Sequence, residues 1–188
     1  KQLLDRILND PKIVSNGAAV LYFDLDRFKD INDTLGHAAG DRVICAIAER
    51  LLRILPENGI VARISGDEFA LLLPDCPNET QAERSMSRLQ DMMVQPVTFG
   101  PDEIHVTVSM GAALAPRDGL EAEELLRKAD IALYDAKSNG RNRWSFFEPS
   151  MQEHVRTKDE IARELRKAID EDLLDVAYQP PCDCRSDR

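Results

Sequence analysis

Asp67 and Glu68 are adjacent carboxylates in the stretch Ser65-Gly66-Asp67-Glu68-Phe69. Side by side they repel each other, and such a pair gains little without a cation in front of it; a hard ion such as Mg²⁺ (or Mn²⁺) is the natural partner of oxygen-only donors. Asp24 and Asp26 follow the apolar run Ala18 to Phe23, so Asp24 lies at a strand end, where open sheets place ligands. If that strand lies beside the Asp67/Glu68 pair, three carboxylates converge on a site for a divalent metal holding nucleotide phosphates. The plainer reading is that Asp24 and Asp26 cap the next helix. Lys137 and Arg141 sit four apart across a helix C-terminus. They either offset the helix dipole or reach a polyphosphate, with Arg141 forking its oxygens. Asn32 and Asp41 offer the acceptors and donors that a guanine edge asks for, or else Asp41 caps a helix and Asn32 is solvated. His37, between two glycine-containing turns, reads as a turn or capping residue.

These residues need elements to hold them. Ile60 to Ile64 and Phe69 to Leu73 are short apolar runs joined by residues that include Gly66, which reads as a β-hairpin with the acids at its tip. Leu3, Leu4, Ile7 and Leu8 have helical spacing, stopped by Pro11. Phe28, Ile31 and Leu35 share a helical face that Gly36 closes. Asp41 begins a longer helix with Ile44, Ile47, Leu51 and Leu55 inward. Thr80 to Gln95 is a helix with Met86, Leu89 and Met93 inward. Ile104 to Ala115 alternates and predicts one half-buried strand. Leu120 to Lys137 predicts a helix, and Arg143 to Phe147 a last strand. The order implies a mixed sheet flanked by helices, an α/β (α+β) sandwich. From Pro149, Ile161, Leu165, Ala168 and Ile169 predict an amphipathic helix ending near Asp172.

The chain has 188 residues and a formal net charge of −10, which argues against non-specific nucleic-acid binding. No apolar run approaches the ~20 residues of a membrane span, so no membrane contact by this stretch is expected. There is no initiator Met and no signal peptide, so a segment of a longer, cytoplasmic protein is expected, the remainder of which could be membrane-anchored. Cys45, Cys76, Cys182 and Cys184 read as reduced thiols.

Three blocks carry a resemblance. They are Phe23-Asp24-Leu25-Asp26-x-Phe28-Lys29-x-Ile31-Asn32-Asp33-x-x-Gly36-His37-x-x-Gly40-Asp41; Arg63-x-Ser65-Gly66-Asp67-Glu68-Phe69; and Ala129-Asp130-x-Ala132-Leu133-Tyr134-x-Ala136-Lys137-x-x-Gly140-Arg141-Asn142. In order and spacing they resemble the GGDEF family of diguanylate cyclases, domains of bacterial signalling proteins. The resemblance covers residues 1–148 and implies a palm-like nucleotide-cyclase fold. It implies that Asp24, the Leu25 carbonyl and Asp67 hold Mg²⁺, and that Asp67 and Glu68 are catalytic, helping to deprotonate a ribose 3′-hydroxyl. It implies that Asn32 and Asp41 read guanine with His37 nearby. Amides around Phe28 and Lys29, with Lys137 and Arg141, would hold the triphosphate. Two such domains would face each other as a homodimer and condense two GTP into cyclic di-GMP and two pyrophosphates.

The chain departs from the family pattern twice. Ser65 replaces the first glycine of the signature; a positive φ there would strain a serine, on the order of 1 kcal/mol, and a negative φ would leave it harmless. The R-x-x-D of the family's product-inhibition site is replaced by Pro56-Glu57-Asn58-Gly59, so product inhibition by that route is not expected. Residues 149–188, with Val176-Ala177-Tyr178-Gln179-Pro180, resemble the linker helix and first strand of an EAL phosphodiesterase domain. That resemblance implies an attached EAL domain as a partner; an N-terminal sensory region is expected separately, from the chain reading as a piece of a longer protein. Enzyme, GTP-binding regulator of an attached phosphodiesterase, and nucleotide-free dimerisation domain are the three functional readings.

Overall fold

A computed structural model describes residues 16–56 and 58–175. The expected first helix, Val176 to Pro180, Cys182, Cys184 and Glu57 lie outside the described residues. Contacts divide the chain into two compact units, residues 1–151 and 152–188.

The first unit is built on a five-stranded sheet. Its strands are β1 (Ala18–Leu25), β2 (Ile60–Ser65), β3 (Glu68–Pro74), β6 (Val108–Ala115) and β7 (Trp144–Phe146), in the spatial order β2-β3-β1-β6-β7. All neighbours are antiparallel except β6 and β7, which are parallel. The helices are α1 (Phe28–Leu35), α2 (His37–Ile54), α3 (Glu79–Met93) and α4 (Ala122–Ser138). The mixed sheet flanked by helices is the expected fold class, and the predicted hairpin is β2-β3.

β1 is central and covered on both faces, so its apolar residues run continuously instead of alternating. One face, with Ala19, Leu21, Phe23 and Leu25, packs on α2 and α3. Phe23 stacks on its cross-strand neighbour Phe69, ring centroids 5.0 Å apart. The other face, with Ala18 and Val20, receives α4. Small residues let that helix approach closely: Ala122, Ala129, Ala132 and Ala136 are wholly buried against it. The nearest approach is at Gly111, where a Cβ would collide with backbone atoms of Ala129, Ala132 and Leu133.

Four expectations need correction. The single strand Ile104 to Ala115 is two. β4 (Val97–Phe99) and β5 (Asp102–Ile104) form a separate hairpin that the sequence reading missed, and β6 starts at Val108. β1 ends at Leu25; the Asp26 amide still donates to the Thr107 carbonyl at 2.9 Å, in register, and residues 105–107 form no further ladder with it. β6 is buried throughout and not half-buried; Ser109 within it is fully buried, with its hydroxyl donating to Asp26. The longer helix starts at His37 and not at Asp41, one turn earlier, because the Gly36 carbonyl accepts the amides of Ala39 and Gly40. Asp24 and Asp26 do not cap α1: its N-cap is Arg27, in a left-handed conformation and without a side-chain cap.

The last helix, α5 (Pro149–Asp170), begins well before the predicted apolar stripe and ends where Asp172 turns left-handed and Leu173 bonds back to Ala168. Among the described residues no helix is long and apolar enough to cross a membrane.

Gly111→Ala is expected to destabilise the chain by about 3 kcal/mol or more, because backbone cannot yield as a side chain can. Urea unfolding measures this, and a loss under about 1 kcal/mol would mean that α4 is not seated on β6 as described.

Candidate functional site

Sheet register brings the acids together. Asp24, at the end of β1, is directly opposite Glu68 on β3, and the Leu25 amide donates to the Asp67 carbonyl at 3.3 Å. The hairpin tip between them is a Gly66-Asp67 turn with Gly66 at φ 43°, and Arg63 Nε donates to the Gly66 carbonyl at 2.8 Å. A bulge between Arg63 and Ser65 re-aims the tip. Asp67 and Glu68 are half-buried, and Asp24 is only 8% exposed.

Asp24 forms an ion pair with Lys137 from the last turn of α4, Nζ to Oδ2 at 2.8 Å. Burial pushes the Asp24 carboxyl above the usual carboxylate range. Lys137 pulls it part of the way back, and the charges of Asp67 and Asp26 push it up again. Lys137 is therefore more than a balance to the helix dipole.

Two hydroxyls hold Glu68. Ser65 donates to its Oε2 at 2.7 Å and Tyr22 to the same oxygen at 3.3 Å. Burial, then the charge of Glu68, pushes the Tyr22 hydroxyl up to about 12, so it stays protonated and a donor at neutral pH. Glu68 also bears electrostatically on Asp130 of α4. Ser65 is not in the left-handed region, so the strain that a serine could have brought to this position is absent.

Among the described residues no three His, Cys, Asp or Glu side chains are arranged as a ready metal cage. The donors that do approach one another suit a hard divalent cation: carboxylates on adjacent strand ends and backbone oxygen beside them, all oxygen and mutually repelling. A nucleotide's own phosphate oxygens would complete such a shell.

The other expected residues lie around α1 and α2. Asn32 packs against Gly40, where any Cβ would collide with Asn32 Oδ1 and crowd Phe28. The absence of a side chain at Gly40 leaves the room that the carboxamide occupies. His37 and Asp41, on the first turns of α2, are exposed, as is Lys29; Phe28 is half-buried at the start of α1. Arg141 is exposed, in a left-handed conformation just past α4. The positions of the absent product-site motif, Pro56 and Asn58, line a separate cavity of about 480 Å³, with Arg88 of α3 on its wall.

Sequence reasoning gave Asp26 only a capping role and missed what it holds; it is 7% exposed. It accepts hydrogen bonds from the Thr107 hydroxyl at 2.8 Å, the Ser109 hydroxyl at 2.7 Å and the Asn142 amide at 3.0 Å. Its place in Asp24-Leu25-Asp26 was the only signal available. It also missed Tyr22, which looks like one more apolar strand residue, and Gln90, for which no pattern exists.

The geometry has close relatives. The family model described as "Diguanylate cyclase, GGDEF domain" matches residues 1–143. The cyclic di-GMP phosphodiesterase NbdA of Pseudomonas aeruginosa is 36% identical over 92% of this chain, which spans 22% of that protein. The bifunctional diguanylate cyclase/cyclic di-GMP phosphodiesterase MucR of the same organism is 37% identical over 86% of this chain, which spans 24% of it. This chain thus spans about a quarter or less of the length of these relatives. Among solved structures, the GGDEF domain of the Pseudomonas aeruginosa protein TpbB, or YfiN, superposes with a TM-score of 0.78 at 36% identity, covering 82% of this chain and 91% of that one. The active GGEEF domain of a Vibrio cholerae diguanylate cyclase superposes with a TM-score of 0.68 at 25% identity, covering 79% and 96%. The fold, the acidic hairpin tip and these matches together place the chain in the GGDEF family, as a domain of the diguanylate cyclase type.

Proposed function

We propose that this domain binds GTP and condenses two molecules of it into cyclic di-GMP, as one half of a homodimer. The observation that carries the reading is the pairing of Asp24 with Glu68 in register and of Leu25 with Asp67 through the backbone. Asp24, the Leu25 carbonyl and Asp67 would hold Mg²⁺ (or Mn²⁺). Bound there, the ion would neutralise phosphate charge and polarise the α-phosphoryl group. Lys137 would exchange some of its contact with Asp24 for phosphate oxygens, and Arg141 would take others in a forked pair. The amides at Phe28 and Lys29 open a helix, where N–H groups face out without partners. Asn32 and Asp41, with His37 beside them, would read guanine.

Asp67 and Glu68 would help deprotonate the ribose 3′-hydroxyl, one of the two carboxylates taking up its proton. That oxygen attacks the α-phosphorus of the GTP on the facing protomer and expels pyrophosphate. The second protomer does the same in return, closing the ring with two pyrophosphates released. The chemistry rests on in-line placement and charge neutralisation.

A second reading is favoured by one contact. The Ser65 hydroxyl draws Glu68 Oε2 toward β2, which would slow turnover and leave a GTP-binding domain that regulates an attached phosphodiesterase. The named activities of NbdA and MucR support such a setting. In it, residues 1–148 are the GGDEF domain and residues 149–188 a linker helix and the opening of an EAL domain. The whole protein would be cytoplasmic or membrane-anchored, with a sensory region before residue 1.

Asp67→Ala is expected to lower cyclic di-GMP formation by roughly a hundredfold or more without changing the circular dichroism spectrum. The measurement is product chromatography after incubation with GTP and Mg²⁺ at a concentration where self-association has been checked; undiminished turnover would sink the assignment. Asn32→Ala is expected to weaken GTP binding roughly tenfold and to leave ATP binding unchanged in calorimetry. Equal losses would remove Asn32 from guanine recognition. Ser65→Ala and Ser65→Gly are both expected to raise turnover, by up to roughly tenfold, since both remove the hydroxyl. A gain with glycine alone would instead point to backbone freedom.

A further inference from the structure

We propose that Gln90 is a positioning residue for phosphate binding, acting through Asn142 on Arg141. The inference rests on the reading of Arg141 as a triphosphate ligand. Past the end of α4, three successive residues turn left-handed: Gly140 at φ 115°, Arg141 at φ 62° and Asn142 at φ 48°. For residues with a Cβ this conformation is disfavoured, and it persists only where the surroundings over-determine it.

The surroundings do so at Asn142. Its amide donates to Asp26 Oδ2 at 3.0 Å, and Asp26 is itself held by Thr107 and Ser109. Gln90 of α3 donates through Nε2 to the Asn142 carbonyl at 2.7 Å and to Asn142 Oδ1 at 3.0 Å. The next residue is fixed by the strand ladder, Met110 amide to Arg143 carbonyl at 2.9 Å. The preceding one is tied by the Arg141 amide to the Ala136 carbonyl at 3.2 Å.

Among these ties, that from Gln90 stands apart. The others come from the strand ends and from α4 itself. Gln90 comes from the helix layer on the opposite face of the sheet, and its side chain fills no part of the core. Its two hydrogen bonds to Asn142 set how the turn sits around the sheet edge, and so where the exposed Arg141 guanidinium points relative to Lys137. Misplacing such a clamp by a fraction of an ångström weakens a forked contact to phosphate while the fold stands.

The test is a double-mutant cycle on GTP affinity, measured by calorimetry with Mg²⁺ present. Gln90→Met keeps the side chain's length and loses its donor. Gln90→Met and Gln90→Ala are both expected to weaken GTP binding roughly fivefold, with the thermal midpoint unchanged. In an Arg141→Ala background the same changes are expected to have no further effect. A purely structural Gln90 would give equal losses in both backgrounds, and that result, or wild-type affinity in Gln90→Met, overturns the proposal. If the unaltered protein binds no GTP, or Arg141→Ala binds it as tightly as wild type, the phosphate reading of Arg141 fails and this inference with it.

Discussion

Asp24, Asp67 and Glu68 repel one another at one end of the sheet, with Asp130 close by, and the fold brings them together regardless. The register of β1 against β3 leaves no alternative: with both faces of β1 buried, sliding the strand would move its whole apolar set out of place. Asp24 is held opposite Glu68 by the packing of Leu21, Phe23, Phe69 and Leu71, residues that have no part in the chemistry. The core therefore supplies the energy that concentrates the charge. Lys137 offsets part of it, but burial still disfavours the ionised Asp24. A cluster of acids that is uncomfortable without cations in front of it is what this constraint produces.

Asp26 does the opposite work two residues on. It faces donors, not acids, and it collects Thr107, Ser109 and Asn142 around one carboxylate. Those partners come from the approach to β6, from β6 itself and from the turn after α4. One buried side chain thereby joins the strand carrying Asp24 to the turn carrying Arg141. The two halves of the candidate site, acidic and basic, are set by a residue that belongs to neither.

Ser65 shows how a single atom alters such a site without altering its scaffold. The backbone at this position does not need glycine, so the hairpin is undisturbed. The effect of the substitution is confined to the hydroxyl, which shares Glu68 Oε2 with Tyr22. A domain can keep Asp24, Asp67, Glu68, Lys137 and Arg141 and still have one of them held by a neighbouring hydroxyl.

The amino-acid sequence alone determined the β2-β3 hairpin, α1 to α4 to within about a turn, the mixed sheet and the family, because these follow from local periodicity, turn residues and spaced motifs. It also marked Asp24, Asp67, Glu68, Lys137 and Arg141, since charged groups at strand and helix ends stand out from an apolar background. It misjudged the break before β6 and missed the β4-β5 hairpin, whose three-residue strands are too short to carry a period. The partners of Asp26 lie 81 to 116 residues away, and Gln90 meets Asn142 across 52. Which hydroxyl turns Glu68, which lysine meets Asp24 and which amide steadies Arg141 were decided only when packing closed those distances. Hydrogen bonds need partners within about 3 Å, and no pattern along the chain encodes a proximity that the core creates.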